Sequence, residues 1–511
     1  MKERLTKKEN VLIATMLFGL FFGAGNLIFP AYMGQLAGKN MWQAIIGFVI
    51  TGVGLPLLGI AAMGISRSDG LMELSSKVSR PYSYFFTCAL YLTIGPFFAI
   101  PRCATTPFTV AVATLMPEGS NQSLALALFS LAFFAIVLAF SLKPGKILTY
   151  VGKILTPIFL AFLAVLVVAA LVNPTAALSA LEAQGDYQSK AFFTGFLEGY
   201  NTMDALACLA FGIVVINVIR GLGVEKPEHV ALCTVKAGVF SCLIMAVIYL
   251  AVTLVGVQCR VIAENAGVVC ANGGEVLSLI AQYYFGDAGV WILAATVTMA
   301  CLKTSVGLVT SCAETFEQLF PQGPKYKAWA VIFSVVSFAI ANLGLSAIIA
   351  CSVPVLMFLY PLAITLILLG LFGKFFGHSR IVYSTVTGFT FVAALFDFAK
   401  AMLGADVLSE TMISSLHLRG AVAFAQKALP FYDLGVGWIC PALAGLVVGL
   451  VWYAIAKKNG SHRCSVPSAV RGKWKSPSTT TVVRTVFLPL RRLWEPLWWQ
   501  RAQTIWKCGL A

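Results

Sequence analysis

FGLFFGAGNLIFP, residues 18–30, sets Gly19, Gly23 and Gly25 within seven residues and follows them with Asn26 and Pro30. The stretch lies in an apolar run that opens after Lys2, Arg4, Lys7 and Lys8. Each glycine costs a continuous helix up to about 1 kcal/mol against alanine. A helix broken at 23–26 gains from them instead. The break frees backbone N–H groups at the start of the second half, where a carboxylate binds, and leaves carbonyls on the first half for a cation. Close helix packing through GxxxG (Gly19, Gly23) is the competing reading. Packing has no use for Asn26 or Pro30.

A second interruption reads FLEGYNTMDALACLAFG, residues 196–212, with Glu198, Asn201 and Asp204 in mid-run beside Gly199. Polar groups at membrane depth are costly unless they line a cavity or an unwound stretch. The bland alternative places Glu198 nearer the interface. Working outward, apolar stretches fall at 11–30, 41–65, 82–116, 122–142, 147–172, 191–219, 236–258, 288–318, 327–350, 353–376, 381–400 and 434–456. Each can cross about 30 Å of hydrocarbon at about 1.5 Å per residue. The interrupted runs are the first and the sixth. They head two five-span blocks, 11–172 and 191–376, and paired breaks in two repeats point to a transporter's binding site. An odd number of spans per block makes the repeats inverted. Residues 1–10 form a cytoplasmic N-terminus, 381–457 two additional helices, and 459–511 a basic tail read as disordered. The fold expected is an all-α membrane protein of about twelve transmembrane helices, a five-plus-five inverted repeat plus two.

Composition agrees. Of 511 residues, 59% are apolar and 11% charged, against about 25% charged in a soluble domain. The solvent must be lipid. The net charge of +15 is no nucleic-acid signal. From Asn459 onward nine Lys/Arg stand against one Glu, so about half the excess is in the tail. Elsewhere, seventeen Lys/Arg fall in one set of loops and six in the other. That asymmetry puts both termini in the cytoplasm, the chain lying in a bacterial cytoplasmic (inner) membrane. Cys259 and Cys270 fall in one external loop and are read as two free thiols rather than a disulfide. No P-loop, GxGxxG or HExxH is present, and the four His lie in loops or the tail. Enzyme chemistry and a cofactor are therefore not expected, and energy must come from a gradient.

Two more spans carry polar groups. CLKTSVGLVTSCAE, residues 301–314, crowds Lys303, Thr304 and Ser305. Adjacent hydroxyls suit a hard cation, although Ser and Thr also bond within their own helix. Lys303 either replaces a cation as a tethered charge or reaches for an interface. Arg102 stands in GPFFAIPRCATTPF of the third span. It must meet carbonyls or an acid, and Asp204 is one candidate.

GAGNLIFP (23–30), GPFFAIPRCATTPFT (95–109), GYNTMDALA (199–207) and LKTSVGLVTSCAE (302–314) resemble the branched-chain amino acid transport system II carriers. That family comprises cation-coupled leucine, isoleucine and valine symporters. The resemblance covers roughly residues 5–457 and leaves out the tail after Gly460. The family is similar in turn to the LeuT-like transporters. The resemblance implies Na⁺-coupled uptake of branched-chain amino acids. It implies a substrate site at Gly23, Ala24, Gly25 and Asn26 facing Gly199, Tyr200, Asn201 and Thr202. The carbonyls of Gly19, Phe22 and Cys301 and the hydroxyls of Thr304 and Ser305 would hold Na⁺. Arg102, Glu198, Asp204 and Lys303 are the coupling candidates. Proton coupling stays open, since Glu198, Asp204 and Lys303 can titrate. A channel would need rings of polar residues, and the third, fifth and ninth spans are too apolar to supply them.

Overall fold

The first apolar run starts on a capping box. Thr6 Oγ1 accepts from the Glu9 amide, and the Glu9 carboxylate accepts from the Thr6 amide at 2.9 Å. This launches α1 (Lys7–Phe21), and after a break α2 follows (Gly25–Ala37). The computed structural model describes residues 4–458 except 67, 69, 118, 143–155, 176–180, 225 and 406–409. The tail 459–511 and the start of the fifth apolar run lie outside the described residues.

All regular structure among the described residues is helical. The second run is α3 (Met41–Val49), a widened turn at Ile50–Gly54 and α4 (Leu55–Ile65), with the short α5 (Leu71–Ser76) after it. The third is α6 (Arg80–Leu92), α7 (Ala99–Pro107) and α8 (Ala113–Leu115), joined by widened turns. Gly95 leaves helical geometry just before Pro96, which has no N–H to give. Next come α9 (Gln122–Ser141), α10 (Thr156–Val172), α11 (Tyr187–Glu198), α12 (Asp204–Gly221) and α13 (Pro227–Ala266). They are followed by α14 (Gly273–Leu319), α15 (Tyr326–Ala341), α16 (Leu345–Phe372) and α17 (Arg380–Gly404). The short α18 (Glu410–Ser415) and α19 (Leu418–Ala428) lead to α20 (Ile439–Lys458).

Eight helical stretches among the described residues are long and apolar enough to cross a membrane. The second half of the first broken run is counted among them, within the stretch Gly25–Ile65. Two boundaries differ from the sequence reading. The ninth and tenth runs part at 342–344, not near 351. Asn342 ends the helix and Gly344 takes φ +86°, while Pro354 merely sits inside α16. Cys259 lies within α13 rather than in a loop. It and Cys270 are both buried free thiols.

In lipid the hydrophobic effect gives helices little reason to associate, so close backbone approach must serve. Gly34 of α2 lies under the Thr253 carbonyl of α13, and Gly256 of α13 under the Ala31 carbonyl of α2. Likewise Gly47 of α3 faces the Phe192 carbonyl of α11, and Gly195 of α11 the Ala44 carbonyl of α3. At all four a Cβ would overlap the facing carbonyl. The first run thus grips the seventh as the second grips the sixth, which is the pairing an inverted repeat requires. These four runs form one group. A second group packs α14 against α7, α9 and α15. Both helix breaks lie where the groups meet.

The loops sort by side. Lys39 pairs with Glu182 at 2.6 Å, and Arg260 donates to the Glu182 carbonyl. Elsewhere Lys77 donates to the Ser66 carbonyl at 3.2 Å and Arg380 to the Val78 carbonyl at 3.1 Å. The charges assigned to opposite faces do not mix in these contacts.

Candidate functional site

At the first break α1 stops because its next amide is diverted. In a continuous helix the Gly23 N–H would go to the Gly19 carbonyl. Here it goes to Asn26 Oδ1 at 2.7 Å, while Phe22 is extended (φ −73°, ψ 104°). Asn26 therefore holds the break open from inside the second half. Its Nδ2 donates to Asp204 Oδ2 at 2.6 Å. Tyr249 of α13 donates to the same carboxylate oxygen at 2.6 Å and also meets Asn26 Nδ2. Asp204 is the first residue of α12. One buried triad thus ties both broken runs to the seventh.

The second break is built differently. A tight turn spans Gly199–Thr202, and Met203 then takes a left-handed conformation, φ +63° and ψ +13°. Thr202 Oγ1 donates to the Gly199 carbonyl at 2.9 Å. The Asn201 carbonyl, freed by the turn, accepts from Arg102 Nη1 at 2.8 Å. The sequence left Arg102 between a carbonyl and Asp204; its direct bond is to the carbonyl. The guanidinium is buried, lies over the Phe29 ring at 5.0 Å, and has no hydrogen bond at Nε. A Cβ added to Gly25 would come within 2.7 Å of its Nη2. Glycine at 25 lets this cation lie directly against the start of α2, and a larger residue there would displace the guanidinium.

Residues on α14 close the other side. Thr304 Oγ1 lies 3.2 Å from the Phe22 carbonyl and 3.1 Å from that of Ala300. Cys301, Thr304 and Ser305 are all buried on this stretch, and Cys103 of α7 lies beside both Cys301 and Ser305. The structure therefore joins Phe22 with Thr304 and leaves the Gly19 carbonyl without its helical amide. Lys303 is half-buried on the same helix. Glu198 lies half-buried at the end of α11, beside the Asn201 side chain, with its charge acting on Tyr32 and Tyr187. It does not share the Asp204 triad.

The sequence reading missed two tyrosines. Tyr360 of α16 stacks on Tyr200, ring centroids 4.0 Å apart at 15°. Tyr249 completes the triad. Each was visible as a lone hydroxyl in an apolar run, AVIYLAV at 246–252 and MFLYPLA at 357–363. Such a group must find a partner inside the bundle.

Two backbone breaks, a buried cation between them and hydroxyls beside the first thus meet in one place in the bundle. The family model for the branched-chain amino acid transport protein matches residues 6–456. The chain belongs to that family. It is 50% identical to the branched-chain amino acid permease BrnQ of Lactobacillus delbrueckii subsp. lactis, over 90% of this chain and 100% of the relative. It is 40% identical to BrnQ of Bacillus subtilis, over 88% and 98% of the two chains. The branched-chain amino acid transport system 2 carrier protein of Pseudomonas aeruginosa is 38% identical over 85% and 94%. Among solved structures, that of Mhp1, a nucleobase-cation-symport-1 family transporter, matches with a TM-score of 0.57. It covers 88% of this chain and 93% of that one at 13% identity. That likeness shows the LeuT-like fold and nothing about substrate. Members of this transporter family are not enzymes.

Proposed function

We propose that this family member is a secondary active symporter that carries leucine, isoleucine and valine into the cell with Na⁺. The observation that carries the reading is the meeting of Arg102, Gly25 and the Asn201 carbonyl between the two breaks. The substrate carboxylate would lie against Arg102 and the amides at Gly25 and Asn26. Its ammonium would take carbonyls near Gly23 and Tyr200. Ala24 and Thr202 shape the wall, and the branched side chain lies among apolar groups of the third, sixth and eighth spans. A Na⁺ ion would be held by the Phe22 and Gly19 carbonyls, the Cys301 carbonyl and the Thr304 and Ser305 hydroxyls. A hard cation takes oxygen ligands of this kind. Both termini lie in the cytoplasm in this reading, following the loop charges.

Uptake of labelled leucine into proteoliposomes, with a Na⁺ or an H⁺ gradient imposed separately, tests it. Na⁺ alone should drive accumulation. Accumulation driven by protons alone would move coupling to Asp204, Lys303 or Glu198. Absence of counterflow would argue for a channel.

A further inference from the structure

Away from that site, the molecule buries a carboxylate with no bonded partner among the described residues. Asp397 of α17 is 5% exposed, and neither of its oxygens accepts a hydrogen bond. Two more buried polar groups near it are orphaned, the Tyr200 hydroxyl and the Trp438 indole N–H. The indole lies beside that hydroxyl, and the charge of Asp397 acts on the same hydroxyl. The carboxylate thus stands within electrostatic reach of the Tyr200 hydroxyl, at the back of the second break.

The surrounding charges leave Asp397 in surplus. Lys400, one turn along, donates to the carbonyls of Tyr432 at 3.0 Å and Asp433 at 3.3 Å, and lies 5.0 Å over the Tyr432 ring. Of the acids near it, Asp433 acts on Lys400 more strongly than Asp397 does. Lys190 and Asp186 also act on Lys400, and they pair with each other at 3.6 Å. Lys400 is thus shared between Asp433 and Asp397 without bonding either carboxylate, and Lys190 is held by Asp186. Tyr200, Tyr360, Tyr432 and Trp438 carry no charge. A lone buried carboxylate costs several kcal/mol, so a positive charge must join it. A hard metal cation takes about six oxygens. This place offers the two of Asp397 and one hydroxyl. A proton suits the set.

We propose that Asp397 is a proton-binding site whose occupancy positions Tyr200 and so sets the shape of the second break. The proton exchanges with water, and only the carboxyl O–H bond forms or breaks. When the proton leaves, the carboxylate draws the Tyr200 hydroxyl as a donor and pulls the ring from its stack on Tyr360. The effect on substrate rests on the reading that the Tyr200 segment holds the amino acid.

Leucine binding to the full-length protein in nanodiscs, measured at fixed Na⁺ from about pH 5.5 to about pH 8.5, tests the proposal. The parent should lose affinity about tenfold per pH unit above the titration. Asp397→Asn should keep the parent's acid-side affinity throughout. A flat parent, or an Asn variant with the parent's slope, overturns the proposal. If Asp397→Asn does not assemble, infrared spectra against pH decide. The parent should show a protonated carboxyl band that fades as pH rises, shifted in Asp397→Glu. An unshifted band overturns the assignment. If the parent binds no leucine at any pH, the substrate reading fails and the infrared band judges the proton site by itself.

Discussion

Both broken spans carry a glycine beside an asparagine, yet the two glycines do unlike work. Gly25 faces the guanidinium of Arg102, whereas Gly199 faces Thr51 and the Phe48 carbonyl of the second span. The glycine of the first break makes room for a buried cation, and the glycine of the second serves helix packing. The breaks themselves also differ. The first is held by a side chain, Asn26 on the Gly23 amide. The second is held by bonds to its backbone carbonyls, from Thr202 to Gly199 and from Arg102 to Asn201, and it ends on Met203, a non-glycine residue in the left-handed region. A glycine pattern in a membrane helix therefore marks close approach, and the neighbour decides whether the approach is for a ligand or a helix.

The widest separation should come from Gly25→Leu and Gly199→Leu. The first should leave folded protein in the membrane and remove leucine binding. The second should lower the yield of folded protein, because its side chain must displace a facing helix. Size-exclusion profiles beside binding assays check both, and equal loss of folded protein would erase the contrast.

Arg102→Lys probes the link between the breaks. Lysine keeps the charge but not the planar fork, so its bond to the Asn201 carbonyl is lost. A charge-assisted hydrogen bond lost here costs about 2 kcal/mol, a roughly thirtyfold rise in half-saturating leucine. An unchanged value would mean that Arg102 only supports the second break.

Thr304→Val with Ser305→Ala should raise the Na⁺ needed for half-maximal uptake about tenfold, with leucine affinity at saturating Na⁺ little altered. Uptake titrated against Na⁺ checks this. An unchanged Na⁺ requirement would take the ion away from the first break.

The smallest effect concerns strain. Both Met203→Gly and Met203→Ala lose the buried side chain, but only glycine sits without cost at φ +63°. The glycine variant should be the more stable by about 1 kcal/mol in thermal denaturation. Equal stability would show that the second break carries no such strain.

Much of this was readable from the chain. Interruptions at Gly23 and Gly199, inside runs far too apolar for water, announced two broken helices and their inverted arrangement. Local chemistry suffices for that, because a helix in lipid cannot leave amides unsatisfied except beside a cavity. The hydroxyls of Thr304 and Ser305 were legible as polar groups within an apolar run, and both are buried. The turn at 342–344 was misplaced because hydropathy does not fall there, and only Asn342 and Gly344 mark it.

Sequence by itself determined the solvent, the helical class and where two helices must break, because these follow from apolar composition and the cost of exposed backbone in lipid. Tertiary structure alone decided that Asn26, Asp204 and Tyr249 form one triad across 223 positions of chain. It alone decided that Arg102 takes the Asn201 carbonyl, and that Asp397 is buried behind Tyr200 without a bond. Those outcomes depend on distances of a few ångströms between helices remote in sequence, and side-chain type along one strand of text carries no information about such distances.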